Sequence, residues 1–191
     1  MRDMLQSTAS FINCVNGVNG DNPTEVTRPD IDTVVRTLRG NNAYSFLSGI
    51  DGENKFGTAP VRDAYFGLGH TDLIGQLDNC AGFIQKWNYP NQQSTLDPEW
   101  GTVSNVRFLL SSIGSISANA SMLGANVYNI FISGREAFAA IEQDGYSAQF
   151  IYRPPIYDSA LALNASVGYK FAEVPRITND TWVFNLRCTL A

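Results

Sequence analysis

The sequence predicts an α+β fold for this chain of 191 residues. Three features carry that prediction: an amphipathic helical period over 27–40, short apolar segments at 63–69, 105–113 and 126–134, and apolar–polar alternation in the segments 161–171 and 182–190. The helical period predicts a surface helix laid on a core, and the apolar and alternating segments predict strands.

Both ends of that helix are marked in the sequence. Thr27 and Asp30 stand in capping-box spacing, and Pro29 lies in the first turn, where its missing N–H costs no hydrogen bond. Gly40 is expected to end the helix. The apolar residues recur at i, i+3, i+4 and i+7 and share one face: Ile31, Val34, Val35 and Leu38. Upstream, residues 1–12 predict the last turns of another helix, followed by Asn-Gly turns around Cys14.

The segment 63–69 predicts a short buried strand that runs into His70, the only histidine. Thr71 is a good N-cap for a following helix, with Leu73, Ile74 and Leu77 facing inward. After the strand at 126–134, the residues REAFAAI (135–141) predict a short helical or turn segment.

The C-terminal alternation predicts a long antiparallel hairpin. In its first strand one face carries Leu161, Leu163, Ala165, Val167, Tyr169 and Phe171. In its second strand one face carries Trp182, Phe184, Leu186, Cys188 and Leu190. A turn rich in Pro, Asn and Asp separates the two strands.

Composition restricts the possible partners. Only 16 % of the residues are charged, against roughly 25 % in typical soluble proteins, which indicates that much of the surface contacts protein. The net charge is −5 with no cationic cluster, so direct nucleic-acid recognition is not expected. The apolar runs are far shorter than a membrane span, and the N-terminus lacks the apolar core of a secretory peptide. We therefore expect a soluble protein without a membrane partner.

The sequence offers few groups for chemistry. His70 with Asp72 or Asp63 is one hypothesis, a general base with a carboxylate neighbour, but no nucleophile motif accompanies it. The alternative is that the imidazole caps or packs at a strand-to-helix junction. Three separated cysteines fit neither a zinc motif nor a disulfide scaffold and favour a reducing compartment: Cys14, Cys80 and Cys188. Cys188 is expected to fill apolar space, and Cys80 to lie too far along its helix from His70 for proton transfer.

Two loops leave alternatives open. The segment 49–57 faintly resembles a calcium loop but lacks the ligand spacing of an EF-hand, so a solvated loop is favoured. In the polar loop at 87–101, Trp87, Tyr89 and Trp100 could form a carbohydrate-stacking surface or anchor the loop or a neighbouring subunit. We expect anchoring. The resulting expectation is no enzyme, with no catalytic, cofactor-binding or metal-binding residue.

Five segments in order resemble the N4-type major capsid proteins of tailed bacteriophages. They are RDMLQSTASFINCVNG, VRDAYFGLGHTDLIGQLDN, WGTVSNVRFLLSSIGS, VYNIFISGREAF and ASVGYKFAEVPRITNDTWVFNLRC. The resemblance covers nearly the whole chain. It implies the HK97-like capsid fold, with an axial domain over 28–140 and a peripheral domain formed by 1–27, as the end of a spine helix and its turn, and by 141–191.

The resemblance also implies a function. A subunit of this family associates with copies of itself into pentamers and hexamers of an icosahedral head, which encloses DNA without binding it sequence-specifically. The expected location is the virion capsid, assembled in the host cytoplasm, with other head proteins left open as partners. A carbohydrate- or protein-binding module, or a small hydrolase using His70, remains the alternative.

The family pattern includes an N-terminal arm and an extended loop before the spine helix, and this sequence begins inside that helix. We therefore expect a fragment, a processed form or a minimal variant, for which unaided shell assembly is in doubt.

Overall fold

The computed structural model describes residues 1–46, 64–89, 95–142, 148–155 and 164–190. Two compact units divide the chain: Met1–Phe138 with Ile177–Ala191 form unit 1, and Ala139–Arg176 form unit 2. The α-helices are α1 (Arg2–Thr8), α2 (Arg28–Gly40) and α3 (Ile74–Asn79), and 3₁₀ turns cover Thr71–Leu73, Lys86–Asn88 and Asp180–Trp182. No helix in these ranges is both long enough and apolar enough to cross a membrane.

Strands are the commonest regular elements of the described residues, and together with the α-helices they confirm the predicted α+β class. The strands of unit 1 are β1 (Ser10–Val15), β2 (Val18–Asn19), β3 (Tyr65–His70), β4 (Ile84–Gln85), β5 (Glu99–Val103), β6 (Val106–Ser111), β7 (Ile116–Ser117), β8 (Val127–Ser133) and β13 (Val183–Thr189). The remaining strands are β9 (Phe138–Glu142), β10 (Gln149–Arg153), β11 (Ser166–Lys170) and β12 (Glu173–Ile177).

The strands of unit 1 form one mixed sheet in the order β2-β1-β13-β8-β3-β6-β5-β4, with β7 alongside β8. The pairs β1–β13 and β3–β6 are parallel, and the other pairs are antiparallel. All seven residues of β8 are buried because it lies between β13 and β3, with layers on both faces of the sheet. A strand covered on both faces favours the continuous apolar run seen here in VYNIFIS.

Helix α2 covers one face of the sheet, and its predicted apolar residues are buried. They pack with Phe108, Ile130 and Leu186 in the main core. The predicted capping box is present between Thr27 and Asp30. The carboxylate of Asp30 also accepts the Gly17 N–H at 2.6 Å, which fixes the β1–β2 turn to the start of the helix.

Helix α1 covers the other face. Leu5 of α1 packs with Phe131 of β8 and Val183 of β13 in a second apolar cluster. On the same two strands, the Asn185 side-chain amide donates to Asn129 Oδ1 at 3.0 Å, and both asparagines are buried. The sheet of unit 1 is therefore packed on both sides.

The predicted C-terminal hairpin is wrong, although its second strand is confirmed. Phe184, Leu186 and Cys188 share the face toward the main core, as the alternation predicts. Strand β13, however, pairs with β1 and β8, whereas β11 pairs with β10. Alternation identifies a strand and its faces but carries no information on which strand lies beside it.

Three further local predictions are corrected. The first helix ends at Thr8, and Ser10–Val15, including Cys14, form β1 instead of continuing the helix and turns. In the segment 135–141 the turn alternative is confirmed at Arg135 and Glu136, but the rest is not helical, because Phe138–Glu142 form β9. The Pro-containing segment after β11 includes β12, where Pro175 is tolerated because a two-stranded sheet consists of edge strands.

The described residues of unit 2 include the strands of two two-stranded sheets. Strands β10 and β11 pair antiparallel over five residues each, and β12 pairs with β9. None of the described residues of unit 2 is buried.

Candidate functional site

His70 ends strand β3 and is held by backbone groups at both ring nitrogens. Its Nδ1 accepts the Asp72 N–H at 3.1 Å, and its Nε2 lies 3.0 Å from the Ser112 carbonyl oxygen. With Nδ1 as an acceptor, the Nε2–H is the group that donates to the Ser112 carbonyl. The N-cap of the following 3₁₀ turn is therefore His70, and the prediction of Thr71 as the cap is wrong.

The carboxylate neighbour of His70 is Asp72. Asp72 Oδ2 lies 3.2 Å from Nδ1 and accepts the Tyr128 hydroxyl at 3.0 Å. Burial and the bond to Asp72 raise the pKa of Tyr128, so this phenol remains a donor. Gly114 lies so close that a Cβ there would be 2.7 Å from the His70 Cα. These contacts hold the turn at Ser112 and Gly114 against the end of β3. Asp63, the other carboxylate considered as a neighbour of His70, lies outside the described residues.

The three cysteines converge in the main core of unit 1. Cys14 of β1, Cys188 of β13 and Cys80 after α3 are all free and buried. Contact with Cys188 and burial raise the pKa of Cys14 far above its ordinary value, and burial raises the pKa of Cys80 to about 11. Structural thiols buried in apolar surroundings are inert, so these cysteines act as small apolar groups, as predicted for Cys188.

The aromatic residues of the 87–101 loop make different contacts. Tyr89 donates its hydroxyl to Glu99 Oε1 at 2.9 Å, and Trp100 donates its indole N–H to Asp78 Oδ1 at 2.8 Å. The rings of Trp87 and Trp100 meet edge to face at 85°. Such a pair presents no coplanar platform for a sugar ring, whereas the contacts of Tyr89 and Trp100 fit the expected anchoring of the loop.

A buried ion pair holds the same loop. Arg107 Nε donates to Glu99 Oε1 at 2.7 Å, and Arg107 Nη2 bonds the second carboxylate oxygen. The Leu96 N–H also donates to Glu99, at 3.2 Å. Both charged side chains are almost fully buried. The ion pair joins β5 to β6, and the bonds from Tyr89 and Leu96 fix the loop to it.

The ribbon, defined as strands β10 and β11 with Phe171, differs from all of these groups because each of its residues is exposed. Its large side chains are between 50 and 70 % exposed: Phe150, Ile151, Tyr152, Val167, Tyr169 and Phe171. Apolar surface of this extent on a soluble domain is typical of an interaction site. A two-stranded ribbon is also only marginally stable by itself in water.

Unit 1 also has strongly exposed apolar side chains. Met122 and Leu123, which we call the apolar tip, and Ile113 are each exposed by 75 % or more. The Met122 N–H is bonded to Asn22 Oδ1 at 3.1 Å, which ties the tip to the preceding part of the chain.

The described residues contain no group of three or more His, Cys, Asp or Glu side chains arranged to hold a metal ion. The weak calcium-loop pattern at 49–57 lies outside those residues.

Comparison with solved structures identifies chains whose fold is similar to this one. The chain aligns over its full length with a chain in the head structure of Helicobacter pylori bacteriophage KHP40, at a TM-score of 0.58 and 10 % identity. It aligns over 99 % of its length with a chain in the acidic stable capsid structure of bacteriophage KHP30, at a TM-score of 0.56 and 11 % identity. Each of these two chains therefore has a fold similar to that of this chain. This chain spans 63 % of the length of each of these two chains.

No family model matches the sequence, and no curated protein matches it. The likeness to head and capsid chains is therefore one of fold, at identities of 10 and 11 %.

Sequence reasoning assigned no role to β10. Its signal was the spacing of Phe150 and Tyr152, two aromatic residues separated by one position. In β11, Val167 and Tyr169 repeat that spacing, and the register places them opposite: Phe150 against Tyr169 and Tyr152 against Val167. The same alternation of large apolar residues in two segments could have indicated that they pair, since residues opposite each other on two paired strands lie on one face of the sheet.

Proposed function

We propose that this chain is a structural subunit of a bacteriophage head, a major capsid protein of the N4 type that binds copies of itself. The shared fold supports the class of protein. The observation that carries self-association is the ribbon, because its apolar side chains are exposed in the single chain and would be buried by a neighbouring subunit.

The proposal includes the division of the HK97-like fold. Residues 28–140 would form the axial domain, and residues 1–27 and 141–191 the peripheral domain. Under this assignment the ribbon belongs to the peripheral domain.

The subunits would form pentamers and hexamers of an icosahedral shell around DNA, in a virion assembled in the host cytoplasm. A chain with a net charge of −5 and three lysines encloses DNA without sequence-specific contacts. Other head proteins could add to these contacts.

The role would be non-enzymatic. The two ring nitrogens of His70 bond backbone groups, and the three cysteines are buried thiols with pKa values raised for Cys14 and Cys80. These contacts support a packing role for the groups that sequence reasoning considered for catalysis.

Light scattering and negative-stain electron microscopy test the proposal on protein expressed from the complete reading frame. We expect rings or closed shells. The control is circular dichroism with a cooperative melt, which shows that the protein examined is folded. A folded protein that remains a monomer across the accessible concentration range would contradict the proposal.

A further inference from the structure

The two faces of the ribbon differ in chemistry. Cross-strand partners share a face, and successive residues alternate between faces. One face, the aromatic face, therefore carries Phe150, Tyr152, Val167 and Tyr169, and Phe171 continues it because its ring lies 5.7 Å from that of Tyr169. The opposite face carries Gln149, Ile151, Arg153, Ser166, Gly168 and Lys170.

The charges of the ribbon lie on one side only. Arg153 and Lys170 belong to the opposite face, and the aromatic face has no charged side chain. Proteins that bind single-stranded nucleic acid combine aromatic side chains with cations in one groove, so this separation disfavours nucleic acid on the aromatic face. Two aromatic faces, in contrast, bring no like-charged ribbon side chains together, and the nearest charge is Glu173, which lines a pocket with Tyr169 and Phe171.

The size of the aromatic face fits a contact between two copies. An aromatic side chain contributes about 150–250 Å² of surface, so five side chains of this exposure present on the order of 500 Å². Two such faces would bury about 1,000 Å² together, the lower limit of a specific protein interface. Sheet faces pack about 10 Å apart with interdigitated side chains, which covers both marginal ribbons at once.

We propose that the aromatic face of the ribbon binds the same face of a second copy of this chain, in a two-fold symmetric contact. This inference rests on the proposed function and specifies one of the interfaces between copies of the chain. Because the contact is symmetric, a substitution on this face removes two side chains from every interface.

Paired variants on the two faces test the contact. Phe150→Thr and Ile151→Thr change adjacent exposed residues of β10 to the same strand-compatible residue, on opposite faces. We expect Phe150→Thr to raise the concentration at which copies associate by about 30-fold or more, because it removes aromatic anchors. Ile151→Thr should change it by less than about threefold. Equal effects of the two variants would contradict the proposal.

Chemical cross-linking tests the symmetry. Val167→Cys lies on the aromatic face, and Gly168→Cys on the opposite face, where an added Cβ meets no atom within 4 Å. With a short bismaleimide, Val167→Cys should join to itself in a dimer, and Gly168→Cys should give far less product. The native cysteines are buried and provide a low background.

The outcomes separate this contact from self-association in general. Closed shells that form normally in Phe150→Thr, or that cross-link equally through Gly168→Cys, would overturn the contact while leaving the proposed function intact. The apolar tip would then be the next surface to examine. If the cysteine of Val167→Cys does not react with maleimide in monomeric protein, another segment of the same chain covers the aromatic face. That result would also overturn the contact. A folded monomer throughout would overturn both.

Discussion

Units 1 and 2 contain apolar residues of the same kinds in opposite environments. Phe108 of β6 is fully buried in unit 1, whereas Phe150 of β10 is 70 % exposed in unit 2. The sheet of unit 1 is covered on both faces, and the described residues of unit 2 include no buried side chain. Apolar residues in unit 1 determine the fold of the chain, and those of unit 2 are available to contact other molecules.

Replacing a phenylalanine by alanine should change the free energy of unfolding far more in unit 1 than in unit 2, and this is the largest effect that we expect. Phe108→Ala leaves a cavity in the main core and should lower the free energy of unfolding by about 3–5 kcal/mol. Phe150→Ala removes an exposed ring and should change the free energy of unfolding of unit 1 by no more than about 0.5 kcal/mol. Urea unfolding of dilute protein, followed by tryptophan fluorescence, measures both. Comparable losses would show that the ribbon belongs to the folding core.

Charge pairs give a second comparison, between a buried and an exposed site. Glu99→Gln leaves Arg107 buried without its charge partner and should destabilise unit 1 by about 3 kcal/mol. Glu136→Gln disrupts an exposed pair with Arg135 and should have an effect of less than about 1 kcal/mol. Thermal melts at constant ionic strength compare the two variants. A mild effect of Glu99→Gln would mean that the loop at 87–101 does not depend on this pair.

The Glu99 carboxylate should also make the free energy of unfolding depend on pH. Burial alone would raise the pKa of Glu99, but hydrogen bonds from Arg107, Leu96 and Tyr89 and the charge of Arg107 outweigh it, so the pKa lies below the ordinary value of 4.5. A lowered pKa stabilises the folded state above pH 4.5, and this contribution is lost as the pH falls through the folded value. Wild-type protein should therefore lose more stability than Glu99→Gln on acidification below that pH. Parallel pH profiles would contradict the assignment.

A smaller effect is expected at His70. His70→Ala removes the acceptor for the Asp72 N–H and should cost about 1 kcal/mol, whereas His70→Asn keeps a good capping residue and should recover part of that loss. Differential scanning calorimetry compares the two variants. If His70→Ala and His70→Asn have the same melting temperature, the side chain at this position does not stabilise the protein by capping the turn.

The parts of the fold that the sequence predicted depend on neighbours in the chain. The capping box and the apolar stripe of α2 lie within 14 residues, and the strand ending at His70 is equally local. The pairing of β13 with β1 depends on residues more than 170 positions apart, which no local period encodes.

The candidate site was less predictable for the same reason. Tyr169 was placed on a strand, but its exposure depends on which strand lies beside β11 and on what covers the pair. The capping role of His70 was proposed as one alternative, while its second bond, to Ser112, comes from a residue 42 positions away.

Hydrogen–deuterium exchange at low and high protein concentration compares the buried sheet with the ribbon in one experiment. We expect slow exchange in β8 at both concentrations, because this strand is buried within the chain. In β10 and β11 we expect fast exchange at low concentration and marked protection at high concentration, when copies associate. Exchange in β10 and β11 that does not depend on concentration, in protein that light scattering shows to be associated, would contradict the proposal that copies of this chain bind one another through the ribbon.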